Sequence, residues 1–226
     1  EMDEISKSTY EEIRLSIVNS PGNTTLQSIM ALRQFCGHTS LVRENENFEN
    51  LKYRLLIDRL TEIVLNRRKA LVFTFFTDLI NMINNDLKLK FSDIYVNSLY
   101  GAVKTKRRQS IIDEFTSFDG GAVLVANTEV GGVGLNITAA NYVILYTPEW
   151  KPSSEDQAVK RAHRIGQTNE VLVYKFYYTN TVEQLMRARV DMKRNISDTL
   201  IKGIDETENI SEQIRRMLNI SPSNNL

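Results

Sequence analysis

Five short apolar runs, spaced along residues 70–178, constrain this chain more than any other feature. They are ALVFTF (70–75), IYVNSLY (94–100), AVLVA (122–126), YVILYT (142–147) and VLVYKFYY (171–178). Helical patterns, TDLINMINNDL and KRRQSIIDEF among them, separate the first runs. Strands that alternate with helices argue for a parallel sheet with helices on both faces. The ends of the chain have a different rhythm. EEIRLSIVNS sets Ile13 and Ile17 four apart, and SPGN breaks the run. In TTLQSIMALRQFC, Leu26, Ile29, Met30, Arg33 and Cys36 fall at helical spacing, with Thr24 or Thr25 as cap and Gly37 as stop. Residues 38–50 are polar and read as loop. LKYRLLIDRLTEIVLNRR returns to helix, with Leu51, Leu55, Leu56, Leu60 and Ile63 expected on one face. From Thr181 the chain is helical again, with a break expected near Gly203 and a frayed end, SPSNNL.

Composition narrows the function classes. The chain has 226 residues with 28 basic and 28 acidic side chains, so any nucleic-acid contact must come from a local patch. One cysteine, Cys36, excludes a disulfide framework and argues against a cysteine zinc site. No run of about eighteen apolar residues is present to span a membrane. The opening EMDEISKSTYEE does not resemble a signal or transit peptide, and the chain starts as a piece of a longer protein would.

The most informative stretch is PSSEDQAVKRAHRIGQ (152–167). Pro152, Ser153 and Ser154 signal a helix start, and Ser154 with Gln157 makes a candidate capping box. Glu155 and Asp156 suit the positive end of the helix dipole, and Gly166 suits its terminus. Ala158, Ala162 and Ile165 form a small apolar stripe, while Gln157, Arg161 and Arg164 share another side. Neither arginine has a well-placed acid within the helix. Two readings stand on spacing alone. One is a solvated cationic face; the other is a pair of guanidinium forks aimed at phosphate oxygens. His163 reads as a structural histidine. Upstream, AVLVA runs into NTEVGGVGLN, where Gly131, Gly132 and Gly134 allow a tight turn at the carboxyl edge of a sheet, where α/β ligands bind. GAVKT (101–105) lacks the glycine directly before the lysine of a phosphate loop, and no DExx box follows a strand. KTKRR (104–108) opens a helix whose buried face is expected to hold Ile111, Ile112, Phe115 and Phe118. Cations in a first turn oppose the helix dipole, at roughly a few tenths of a kcal/mol each. Such a cluster is either solvated surface or positioned for phosphates.

Together these segments resemble the second RecA-like lobe of superfamily-two ATPases, in the SWI/SNF family of double-stranded DNA translocases, from about Leu26 to about Arg194. LQSIMALRQFCGH is similar to the helix preceding the lobe, ALVFTFF to motif IV, NTEVGGVGLNITAANYVILYTPEWKP to motif V and its extension, and EDQAVKRAHRIGQ to motif VI. The last two, in that order, are the specific ones. The resemblance implies a RecA-like α/β sandwich over residues 49–180, a helical leader over 1–48, and a brace helix with a helical tail over 181–226. It implies that Arg161 and Arg164 are arginine fingers and that Gln157, Gly134 and Asn136 lie beside the nucleotide. It also implies that Thr128, Trp150, Lys104, Lys106, Arg107 and Arg108 approach DNA. The cofactor implied is ATP with magnesium held by an absent first lobe; the partners are that lobe, duplex DNA and nucleosomes, with no membrane. The location implied is nuclear in a eukaryote and otherwise cytoplasmic, not secreted. A non-catalytic DNA-binding scaffold and an RNA helicase lobe are the alternatives. Departures are Glu129 for a basic residue, Phe75 for a glutamine, and Gly37 and Thr39 where Asn and Pro usually flank the histidine. Residues 38–50 hold no cysteine, which argues against the RING-bearing ubiquitin-ligase subclass.

Overall fold

The computed structural model describes residues 1–19, 26–43, 50–128, 135–167, 169–199 and 217–222, with the backbone alone at 26–28 and 193–199. The expected caps Thr24 and Thr25, the glycines 131, 132 and 134, Glu129 and the break near Gly203 lie outside the described residues. The chain divides into two compact units. One is Arg54–Phe176, and the other combines Glu1–Tyr53 with Tyr177–Leu226.

The Arg54–Phe176 unit is built on a parallel sheet. Its strands are β1 (Lys69–Thr74), β2 (Tyr95–Leu99), β3 (Ala122–Asn127), β4 (Tyr142–Leu145) and β5 (Leu172–Lys175). They lie in the order β2-β3-β1-β4-β5, each pair parallel. β1, β3 and β4 are buried almost throughout, which is why each reads as an unbroken apolar run. β5 is different. Its Leu172 and Val173 are each 39% exposed, because an edge strand lacks the cover that its apolar sequence suggests. Leu71, Phe73, Leu124, Val143 and Leu145 on one face of the sheet join Ile111, Ile112 and Phe115 of one helix and Ala158 and Ala162 of another in a continuous core. These helices are α5 (Thr105–Ser117) and α6 (Pro152–Ala162); α4 (Thr77–Lys90) buries Leu79, Ile80, Ile83 and Leu87. Phe118 caps the C-terminus of α5 and is half-buried rather than part of the helical face. On α3 (Leu51–Leu65) the buried stripe is Leu56, Leu60, Ile63 and Val64, while Leu55 is 58% exposed. The expected face was one residue too wide: Leu55 sits about 100° around the helix from Leu56. Where β3 begins, Gly121 lies so close to α3 that a Cβ there would meet the Val64 carbonyl oxygen at 2.3 Å.

In the unit formed by the two ends, α1 (Glu4–Val18) is capped by Asp3, whose carboxylate accepts the Ser6 N–H, and buries Ile13 and Ile17. Helix α2 (Leu26–Gly37) stops at Gly37, and a 3-10 turn follows at Thr39–Leu41. The first turn of α7 (Val182–Thr199) is tied down by buried polar groups. The Tyr10 hydroxyl accepts the Val182 N–H, and the Tyr178 hydroxyl accepts the Lys52 N–H. Lys52 Nζ donates to both oxygens of Glu183, at 2.6 and 2.8 Å, and Glu183 also accepts the Tyr178 N–H. Buried charges of this kind require such partners.

Candidate functional site

The carboxyl ends of β1, β3 and β4 are laced together. Phe75 N–H donates to Thr147 Oγ1 at 2.8 Å, Asn127 Nδ2 donates to the Phe75 carbonyl at 2.7 Å, and Thr128 Oγ1 donates to Glu149 Oε1 at 2.6 Å. Phe75, Thr128, Glu149, Trp150, Lys151 and Ser154 line a recess of about 220 Å³ on this edge. Trp150 is half-buried there rather than standing free on its loop. Glu149 is buried and accepts the Thr128 hydroxyl's hydrogen bond, a partnership 21 residues long that local spacing could not announce.

Helix α6 leaves the same edge. It begins at Pro152, with Lys151 as a cap that makes no side-chain bond, so Ser154 lies inside the first turn and the capping box does not form. Proline at the first helical position starts the helix earlier because it has no N–H to satisfy there. The helix stops at Ala162; His163 leaves helical geometry at φ −88° and ψ 81°, and Gly166 takes φ +101° in the turn beyond. Ile165 is therefore 98% exposed, not the third member of the apolar stripe, while Ala158 and Ala162 are buried as expected.

The same early stop does not scatter the polar set. Gln157, Lys160, Arg161, His163, Arg164 and Ile165 line one open cleft of about 570 Å³. His163 is exposed on that cleft and not a packed structural histidine; its backbone N–H donates to the Val159 carbonyl. Lys160, three residues from Gln157, adds an ammonium to the same lining. Arg161 is half-buried against Leu135, whose carbonyl is 3.5 Å from its Nη1, and its buried Nε has no partner among the described residues. Burial, and then the neighbouring Arg164 cation, press the Arg161 guanidinium below its ordinary value. An arginine nevertheless keeps its proton at any physiological pH.

This cleft fits a polyphosphate. Among the described residues its lining carries guanidinium, ammonium and amide donors and no carboxylate, and one buried donor lacks an acceptor. Divalent magnesium needs carboxylate or similar oxygen ligands, and the described residues of this lining include no carboxylate. Asn136 is exposed on the loop that leads to Ile137, whose N–H donates to the Arg161 carbonyl at 2.9 Å. Gly134 lies outside the described residues.

The basic cluster sorts into distinct environments. Lys104 and Lys106 are exposed. Arg107 donates to Glu114 at 2.7 Å and to Ser110 at 2.8 Å. Arg108 spends its Nε on the Val103 carbonyl at 2.8 Å and Nη2 on that of Gly101 at 3.3 Å, stapling the loop before α5.

The helicase conserved C-terminal domain matches residues 52–166. An uncharacterized ATP-dependent helicase of Mycoplasma genitalium is 34% identical over 83% of this chain and 18% of its own length. The chain spans about a fifth of the length of the curated relatives it matches. The SWI2/SNF2 ATPase core domain of Sulfolobus solfataricus superposes with a TM-score of 0.73 at 25% identity, over 97% of this chain and 47% of that one. The C-terminal domain of that ATPase alone gives 0.69 at 23%, over 96% and 92%. The core in complex with dsDNA gives 0.73 at 23%, over 97% and 48%. The chain belongs to the helicase C-terminal domain family, as the second RecA-like lobe of a SWI/SNF-type superfamily-two protein.

Proposed function

We propose that this lobe is the arginine-donating half of an ATP-driven motor that tracks along duplex DNA. The observation that carries the reading is the gathering of Gln157, Arg161 and Arg164 on one cleft, with the buried Arg161 Nε lacking a partner among the described residues. In this role Arg161 and Arg164 donate to the oxygens of the phosphoryl group being transferred, where negative charge develops. Gln157, Gly134 and Asn136 border the nucleotide. A first lobe elsewhere in the polypeptide holds the phosphates and magnesium. Closing and reopening the lobes around the nucleotide advances the protein on DNA, and remodelling of nucleosomes or other DNA-bound complexes is the output. Lys104, Lys106, Thr128 and Trp150 belong to the DNA-tracking surface. In a eukaryote the setting is the nucleus.

The 226-residue chain by itself should fold without turning over ATP, and joining it to the first lobe should give hydrolysis stimulated by duplex DNA more than by RNA. Hydrolysis by the rigorously purified lobe alone would refute the division of labour. Preferential stimulation by RNA would move the protein to the RNA helicases, and an inert two-lobed protein would make it a scaffold.

A further inference from the structure

Arg107 and Glu114 stand two turns apart on α5, and their contacts set them apart from the rest of the basic cluster. Arg107 Nη1 donates to Glu114 Oε1 at 2.7 Å and to Ser110 Oγ at 2.8 Å. The Ser110 hydroxyl donates to the same carboxylate oxygen at 2.8 Å. From the neighbouring strand β2, the Tyr95 hydroxyl shares its proton between Glu114 Oε2 at 3.1 Å and the Ile111 carbonyl at 3.2 Å, and Asn97 Nδ2 donates to that hydroxyl at 3.1 Å. The carboxylate is thus held by a hydroxyl from its own helix and another from the sheet. The Ser110 hydrogen bond, followed by Tyr95 and the Arg107 cation, holds the Glu114 carboxyl below its ordinary value. It cannot follow Arg107 toward a ligand without losing these donors.

We propose that Glu114 is a fixed counter-ion that removes Arg107 from the set of cations gripping the DNA backbone. The inference rests on reading this cluster as part of the duplex-tracking surface. A phosphate approaching Arg107 meets a guanidinium whose charge is already matched and a carboxylate that repels it. Arg108 is occupied with the carbonyls of Val103 and Gly101, so phosphate contact falls to Lys104 and Lys106. Glu114 therefore limits how tightly, and how salt-sensitively, this helix holds DNA. A motor that must release each phosphate to step forward gains from such a limit.

The test measures binding of the full-length protein to a fluorescent DNA duplex as a function of salt. Each phosphate contact contributes roughly 0.9 to the slope of log K against log salt. Glu114→Gln should steepen the slope by roughly one contact, and Arg107→Ala in that background should return it to the parent value. Arg107→Ala by itself should leave the slope where it was. Asp113→Asn, which neutralises an exposed carboxylate on the same helix without touching Arg107, should change the slope far less than Glu114→Gln. The proposal is overturned if Arg107→Ala alone flattens the slope by one contact, if Glu114→Gln leaves it unaltered, or if Asp113→Asn matches Glu114→Gln. Lys104→Ala with Lys106→Ala tests the surface itself: a flatter slope supports it. An unchanged slope there removes the tracking surface and this proposal together, an outcome distinct from the three above.

Discussion

Replacing Lys52 by Met should destabilise the protein more than any surface charge change. The Lys52 and Glu183 side chains are 4% and 2% exposed, and the ammonium contacts both carboxylate oxygens. Methionine has a similar length and fills most of the same space, so lost packing contributes less than about 1.5 kcal/mol. The larger part comes from Glu183. Without the ammonium, its carboxylate keeps only the Tyr178 N–H among the described residues, in a site that water does not reach. Removing one partner of a buried pair costs about 3–5 kcal/mol, against about 0–1 for an exposed pair. With a urea dependence of about 2 kcal/mol per molar, the unfolding midpoint should fall by roughly 2 M. Urea titration followed by circular dichroism reads this directly. Lys52→Met with Glu183→Leu should recover part of the loss, since an apolar pair replaces a buried ion pair at little net cost, less about 1–3 kcal/mol for the buried Tyr178 N–H that loses its acceptor. A single-variant loss below about 1 kcal/mol would refute the reasoning, because the pair would then be behaving as if solvated.

Gly121→Ala should cost roughly 1–3 kcal/mol, because its Cβ falls 2.3 Å from the Val64 carbonyl oxygen and backbone must move; thermal unfolding checks it, and Gly101→Ala, with open space around it, is the control. Trp150 is the single tryptophan of these 226 residues, so saturating duplex DNA should alter the intrinsic emission of the full-length protein, and Trp150→Phe should diminish that change. An unchanged spectrum would take Trp150 off the DNA surface.

The strands were legible because burial on two faces leaves a continuous apolar signature, as in β1 and β3. β5 shows the limit of that signal, for VLVYKFYY is apolar without being enclosed. The arginine cleft was legible from the spacing of Gln157, Arg161 and Arg164, although the helix ends before Arg164 and the turn, not the helix, carries it. The ends of α6 escape pattern reading because Ser154 and Ile165 fit helical spacings that Pro152 and His163 override. Partnerships at long separation were invisible. Glu114 lies seven residues from Arg107, outside the three- and four-residue spacings that local reading uses, and Glu183 lies 131 residues from Lys52. The Thr128–Glu149 hydrogen bond likewise spans 21 residues and leaves no mark in local spacing.

The most direct measurement is DNA-stimulated ATP hydrolysis by the full-length protein carrying Arg161→Ala or Arg164→Ala. Loss of an arginine finger should lower turnover roughly a thousandfold or more. ATP binding should change much less, because the donors act most strongly on the transition state. Lysine at either position should rescue poorly, since an ammonium does not reproduce the planar fork. Folded alanine variants that hydrolyse ATP at near the parent rate would contradict the assignment of this cleft.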